Sequence, residues 1–262
     1  MNAEQHVIES GAGRPLVLLH AFPLTASMWA PQREAFAGGW RVVCPDQRGF
    51  GGSPLPAGQE PGVDLLADDL AELLDARKIT EPVVLAGLSM GGYVAMAFWR
   101  RHPSRVAAMV LADTKAGADG PEALAGRERM AAEVLAAGSS AQLVEAMVPT
   151  LLGSTTHATR PLVVGRVKAL IDSASPPAVA WAQRAMAARP DSFADLRTID
   201  VPALVVVGAE DQISPPADAQ AMVDALPNAS LVQLVGAGHL SSMETPEEFN
   251  AALGEFLQGL QG

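Results

Sequence analysis

The motif Gly87-Leu88-Ser89-Met90-Gly91 places a serine between two glycines, a spacing that suits a nucleophilic hydroxyl. The preceding run Pro82-Val83-Val84-Leu85-Ala86 is short and rich in β-branched residues, which indicates a buried strand. The apolar residues 93–99 predict a helix directly after it. Ser89 is therefore predicted to lie on a sharp strand-to-helix turn, with its hydroxyl exposed and the Met90 N–H directed at a forming oxyanion.

A serine hydroxyl is a weak nucleophile at neutral pH, so the chemistry requires a base within hydrogen-bond reach. Of the five histidines, only His239 lies in a glycine-flanked loop after a late strand-like run. His20 is the alternative base, because it ends the strand-like run Leu16-Val17-Leu18-Leu19. A structural hydrogen bond is favoured for His20, whereas His239 is the preferred base.

A carboxylate must orient that base. Asp211 lies in the loop Gly208-Ala209-Glu210-Asp211, which follows an apolar strand-like run. Asp113 also ends a strand-like run and remains an alternative. With Asp211 the chain order is Ser, Asp, His, one of the known orders for this constellation.

The elements that must position these residues alternate between strand and helix patterns, which predicts a mostly parallel sheet covered by helices. Between the two halves of this alternation the patterns are helical only, near residues 122–137, 142–152, 161–171 and 177–188. We therefore predict a core formed by residues 1–114 and 200–262, interrupted by a helical cap of residues 115–199.

Composition narrows the classes of partner. The 262 residues carry a net charge of −11 and no basic cluster, so neither nucleic acid nor an anionic membrane is an expected partner. No apolar run reaches the length of a membrane span. The first residues show no secretory signal and Cys44 is the one cysteine, so we expect a cytoplasmic protein with a buried structural thiol.

Five motifs stand in a characteristic order: residues 20–23, 46–51, 87–92, 208–211 and 238–239. The glycines in residues 46–51 do not follow a nucleotide-binding spacing. Together the five motifs resemble the α/β-hydrolase family. This resemblance implies a mostly parallel eight-stranded sheet flanked by helices, with a helical cap insertion.

Within that family, residues 237–249 resemble 3-oxoadipate enol-lactonases and cofactor-free haloperoxidases or perhydrolases. The resemblance implies that Ser89 is the nucleophile, His239 the base and Asp211 its orienting acid, with the amides of Phe22 and Met90 forming an oxyanion hole. It also implies that neither a metal nor an organic cofactor is needed. One departure is Ala21, where the family usually has glycine.

The expected function is hydrolysis of a small carboxylic ester or lactone through an acyl-enzyme. Two alternatives stay open: perhydrolysis by the same residues, and a small-molecule receptor that keeps the hydrolase shell. The apolar pocket wall is predicted to include Trp29, Met130, Met147, Trp181 and Met186. A carboxylate on the substrate would require a cationic anchor, for which Arg166, Lys168 and Arg184 are candidates.

Overall fold

A computed structural model describes residues 5–260 of the chain. Residues 1–4 and 261–262 lie outside the described residues. They include the outer limits of the predicted core and most of the segment searched for a secretory signal. Seven strands are present in the described part: β1 (Val7–Ser10), β2 (Pro15–Leu19), β3 (Arg41–Pro45), β4 (Val83–Leu88), β5 (Val106–Ala112), β6 (Ala203–Gly208) and β7 (Ala229–Leu234).

The strands form one sheet in the order β1-β3-β2-β4-β5-β6-β7. β1 is antiparallel to β3, and every other neighbouring pair is parallel. β4 lies in the middle and is buried throughout, as its apolar sequence predicts. Because the carboxyl ends of parallel strands meet at one edge, the loops after β2, β4, β5 and β6 come together there.

The mostly parallel sheet confirms the predicted fold class, but the number of strands differs from the eight that the family resemblance implied. Six of the seven strands contain an apolar run of the sequence, whereas β1 reads Val-Ile-Glu-Ser and is half polar. The sheet in residues 5–260 ends at β1 on one edge and at β7 on the other. The eighth strand was therefore an expectation from the family and not from any run of residues in this part of the chain.

Helices flank the sheet. They are α1 (Ala30–Phe36), α2 (Val63–Ala76), α3 (Met90–Arg101), α4 (Pro121–Ala137), α5 (Ala141–Leu151), α6 (Ser154–Thr159), α7 (Pro161–Asp172), α8 (Pro176–Ala187), α9 (Phe193–Leu196), α10 (Pro216–Ala225), α11 (Ser241–Glu244) and α12 (Pro246–Gly259). Helix α3 packs against β2, β4 and β5, and α2 packs against α3. In residues 5–260, no helix combines the length and the apolar character that crossing a bilayer requires.

Six helices, α4 to α9, fill the chain between β5 and β6. Four of them match the predicted helical patterns, whereas the short α6 and α9 were not predicted. The ends of helix α4 follow from its sequence: Pro121 occupies its first turn, and Gly138 ends it with a φ of 63°. Helix α4 packs against α8, and α5 packs against α7. The assignment of residues 115–199 as a separate cap stays a prediction.

Candidate active site

Ser89 lies on the turn between β4 and α3, with φ 55° and ψ −113°. This positive φ is unusual for a residue with a side chain and is held by close packing of the backbone around it. A Cβ on Gly87 would lie 2.1 Å from the carbonyl oxygen of Gly91, and one on Gly91 would lie 2.2 Å from that of Leu19. The two glycines of the motif are therefore required for the turn to close.

His239 reaches Ser89 from the loop that follows β7. Its Nε2 atom lies 2.7 Å from Ser89 Oγ, which is hydrogen-bond distance. The imidazole is buried, whereas Ser89 is half-buried. This geometry allows the hydroxyl proton to pass to the imidazole.

Asp211 lies on the other side of the imidazole. Its Oδ2 atom is 2.8 Å from His239 Nδ1, and both side chains are buried. Oδ1 accepts the N–H groups of Ile213 at 2.8 Å and Ser214 at 3.1 Å. These bonds fix the carboxylate so that it orients the ring and favours the tautomer with its proton on Nδ1.

Ser214 is a residue that the sequence reasoning missed. Its hydroxyl donates to Asp211 Oδ2 at 3.1 Å and lies 3.2 Å from His239 Nδ1. The local signal was an Asp with a Ser three residues later in a turn-rich loop, a spacing at which Asp often accepts hydrogen bonds from the following residues.

The alternative acid, Asp113, is not brought to the histidine. Its Oδ1 accepts the N–H of Gly208 at 2.9 Å, and its Oδ2 accepts the N–H of Ser241 at 3.0 Å and the hydroxyl of Ser241 at 2.6 Å. Burial and the nearby charge of Asp211 raise the pKa of Asp113 well above its usual range. Asp113 thus connects the ends of β5 and β6 to the segment after His239.

The alternative base, His20, is held by the backbone. Its Nδ1 lies 2.9 Å from the carbonyl oxygen of Ala21, and its Nε2 accepts the N–H of Gln47 at 2.9 Å. Burial lowers the pKa of His20 to about 4, so the ring is neutral at physiological pH. Both ring nitrogens are already used, which leaves neither of them to serve Ser89.

Two backbone N–H groups are the candidates for binding an oxyanion. One belongs to Met90, next to Ser89, and the other to Phe22, in the loop after β2. Met90 and Phe22 are both buried, and in residues 5–260 neither N–H donates to another protein group. Buried N–H groups are rarely left without an acceptor unless a ligand or water supplies one. The role of these two amides as an oxyanion hole remains a proposal.

Ala21 departs from the family pattern without backbone strain. In the described part of the chain, the non-glycine residues with positive φ are Lys78, Ser89 and Asp113. Ala21 is not among them, so the loop before Phe22 does not require the conformational freedom of glycine.

A family model described as the α/β hydrolase fold matches residues 14–246. The chain belongs to the α/β-hydrolase family. A thermophilic esterase from Thermogutta terrifontis, solved with malate bound, is 41% identical with a TM-score of 0.96, and the match covers 99% of this chain and 95% of the esterase. The 3-oxoadipate enol-lactonase 2 of Acinetobacter baylyi is 30% identical over 252 residues, which are 92% of this chain and 88% of the lactonase.

A third relative of this α/β-hydrolase is a candidate non-heme bromoperoxidase from Mycobacterium tuberculosis H37Rv, which is 25% identical with a TM-score of 0.85 and matches over 100% of this chain and 98% of its own. Esterases, lactonases and haloperoxidase-type proteins are thus all relatives, as the resemblance predicted. Relatives named as esterase and enol-lactonase show that this α/β-hydrolase is a hydrolytic enzyme.

The predicted pocket residues differ in their surroundings. Trp29 is 0% exposed and its ring packs 5.9 Å from that of Phe249, which gives no support to a place in the pocket wall. Met130 lines a cavity of about 370 Å³ together with Asp119 and Arg127, and none of Ser89, Asp211 and His239 lines that cavity. Apolar periodicity marks buried residues, but it does not distinguish a pocket wall from the core behind it.

The remaining pocket residues stay predictions. Met186 and Trp181 are largely buried on α8, and Met147 is partly buried on α5. The indole N–H of Trp181 donates to the carbonyl of Gln59 at 3.2 Å, which connects α8 to the loop before α2.

Two of the three candidate anchors already have partners. Arg184 forms two hydrogen bonds to Glu128, at 2.7 and 3.0 Å, and Arg166 donates to the carbonyl of Ser27 at 2.6 Å. Lys168 is exposed on α7. The structure therefore gives no support to Arg184 or Arg166 as the site that receives a substrate carboxylate.

Proposed function

We propose that this α/β-hydrolase cleaves small carboxylic esters or lactones through an acyl-enzyme on Ser89. The observation that carries the proposal is the continuous hydrogen-bonded series from Ser89 Oγ to His239 Nε2 at 2.7 Å and from His239 Nδ1 to Asp211 Oδ2 at 2.8 Å. This arrangement performs nucleophilic acyl transfer in hydrolases of unrelated folds.

The reaction begins when Ser89 Oγ attacks the carbonyl carbon and its proton passes to His239 Nε2. Asp211 stabilises the imidazolium that forms, because its carboxylate already accepts from Nδ1. The N–H groups of Phe22 and Met90 receive the negative oxygen of the tetrahedral intermediate, each contributing on the order of 3 kcal/mol.

Collapse of the intermediate releases the alkoxide, which takes the proton from His239. For a lactone this alkoxide stays attached to the acyl group, because the ring opens. His239 then removes a proton from water, which attacks the acyl-enzyme, and the second intermediate releases the acid and restores Ser89. No step of this sequence requires a metal or an organic cofactor.

The class of substrate rests on the relatives together with the site. The thermophilic esterase and the enol-lactonase both act on a carbonyl bonded to an oxygen leaving group, as an ester or as a lactone. We propose that the helices α4 to α9 cover this site as a cap. The hydrogen bond from the His239 N–H to the carbonyl of Leu151, at 3.1 Å, supports the idea, because it connects the cap to the base loop.

Perhydrolysis is a second candidate, favoured by the likeness to the candidate non-heme bromoperoxidase. In that reaction hydrogen peroxide replaces water at the acyl-enzyme, and a peracid is released in place of the acid. The same nucleophile, base and acid serve both reactions.

The test is a panel of p-nitrophenyl esters and aliphatic lactones, assayed with and without hydrogen peroxide, with Ser89→Ala as the matched control. The proposal predicts hydrolysis that the variant lacks. Peracid formation faster than hydrolysis would favour the second candidate. Equal rates for the variant and the wild type would show that Ser89 does not carry the reaction.

A further inference from the structure

Glu244, at the end of α11, holds the backbone on both sides of His239. Its Oε1 accepts the N–H of Gly238 at 2.9 Å and that of Leu240 at 3.1 Å. Its Oε2 accepts the N–H of Gly153 at 2.8 Å. The side chain is 1% exposed, and within the described part of the chain these three N–H groups are its only partners. Two of the three are the immediate neighbours of the proposed base.

The N–H between those of Gly238 and Leu240 has a different acceptor. The N–H of His239 itself donates to the carbonyl of Leu151 at 3.1 Å, at the end of α5. Three consecutive N–H groups, 238 to 240, are therefore fixed, two by Glu244 and one by the helical segment. A histidine whose backbone is held at every adjacent N–H has little freedom to move its ring relative to Ser89.

Close backbone contacts show that the surrounding segments have no room to shift. A Cβ on Gly238 would lie 2.3 Å from the nitrogen of Gly153, and a Cβ on Gly208 would lie 2.0 Å from the carbonyl oxygen of Gly238. The base loop thus touches both the segment after α5 and the start of the acid loop. Glu244 is buried and connects the base loop to the segment after α5 through its hydrogen bonds.

We propose that Glu244 is a positioning residue for the proposed hydrolysis: it sets the distance between His239 Nε2 and Ser89 Oγ by fixing the loop that carries the histidine. The inference rests on the proposed role of His239 as the base. Glu244 exchanges no proton with substrate. Its effect on the rate comes through the placement of the imidazole, to which proton transfer is sensitive.

The variant that tests the inference is Glu244→Gln, which keeps the size of the side chain. An amide replaces one acceptor oxygen with an NH2 donor, so at least one of the three N–H groups loses its acceptor. Asp69→Asn is the matched control. Asp69 is also buried and accepts two hydrogen bonds from Arg48, so its replacement disturbs a buried carboxylate away from His239.

Two readouts decide the outcome. The first is steady-state kinetics: Glu244→Gln is expected to lower kcat roughly 10- to 100-fold with little change in KM, because a displaced base slows the chemical step and not binding. Asp69→Asn is expected to keep kcat, even where urea unfolding shows that the two variants lose similar stability.

The second readout does not depend on turnover. In protein labelled with 15N-histidine, the imidazole signals of His239, assigned with a His239→Gln variant, report the hydrogen bond of Nδ1 to Asp211. These signals are expected to shift or broaden in Glu244→Gln and to stay unchanged in Asp69→Asn.

Unchanged His239 signals together with wild-type kcat in Glu244→Gln would overturn the inference. Shifted signals in a protein that lacks all ester and lactone hydrolysis would instead reject the proposed function and keep the positioning role. Should Glu244→Gln fail to fold, Glu244→Asp keeps the charge but shortens the reach of the side chain, and the same two readouts apply.

Discussion

Ser89 and His239 are 150 positions apart in the chain, yet their side chains meet at 2.7 Å. The sheet accounts for this meeting, because Ser89 follows β4 and the loop after β7 returns across the same edge. The parallel arrangement that brings strand ends together also brings the proposed nucleophile to its base.

Replacing the nucleophile tests the role of Ser89. Ser89→Ala is expected to lower kcat by roughly four to six orders of magnitude, because the acyl-enzyme can no longer form. The fold should remain, since the variant removes one half-buried hydroxyl. Kinetics with a p-nitrophenyl ester and circular dichroism check both statements. A loss of less than tenfold would contradict the assignment.

Asp211 and Asp113 are both buried but have different hydrogen-bond partners. Asp211→Asn is expected to lower kcat by about 10⁴-fold, because an amide cannot favour the required tautomer of His239. Asp113→Asn is expected to lower the free energy of unfolding but to lower kcat much less than Asp211→Asn does. The reason is that Asp113 accepts hydrogen bonds from Gly208 and Ser241 and not from the imidazole. Kinetics and urea unfolding of both variants measure this difference. A larger loss of kcat in Asp113→Asn would transfer the acid role to Asp113.

Ala21→Gly tests whether the loop before Phe22 requires glycine. Ala21 does not use a positive φ, so glycine relieves no strain and adds freedom to the unfolded chain. We expect kcat to stay within about twofold and the free energy of unfolding to fall by about 0.5–1 kcal/mol. A substantial gain in kcat would mean that Ala21 impairs the oxyanion hole.

His20 gives the stability a defined pH dependence. Burial lowers its pKa from 6.5 to about 4 in the folded state, so the folded protein binds the proton less tightly than the unfolded chain does. The resulting stabilisation is fully present above pH 6.5 and is lost as the pH falls towards 4. It amounts to about 3 kcal/mol.

Urea unfolding at pH 7.5 and pH 4 measures this dependence, with His20→Gln as the comparison. The variant should lose less stability than the wild type between the two pH values. An identical loss in both proteins would show that His20 does not titrate as its burial requires.

Local patterns in the sequence predicted the elements well. The strand-like runs and four of the six helices between β5 and β6 coincide with observed elements. The glycines around Ser89 predicted the turn, since their spacing is a local property. The eighth strand had no such local source, and the structure does not contain it in residues 5–260.

Properties that depend on long-range packing were not predicted. Nothing near Trp29 in the sequence reveals that its ring packs against Phe249, 220 positions later, and is fully buried. Glu244 belongs to the tract 237–249 that carries the family resemblance, but the sequence alone assigned no role to it. Two of the N–H groups that it accepts are local, those of Gly238 and Leu240, but the third belongs to Gly153, 91 positions earlier, and only folding brings that segment to it.

The most direct test of the proposed chemistry is the rapid mixing of enzyme with a p-nitrophenyl ester, followed by an acid quench and mass spectrometry of the peptide that contains Ser89. The account predicts an acyl adduct on Ser89 that forms in the first turnover and is absent when His239 is replaced by Gln. Turnover without any adduct on Ser89, or an adduct that forms equally fast without His239, would contradict it.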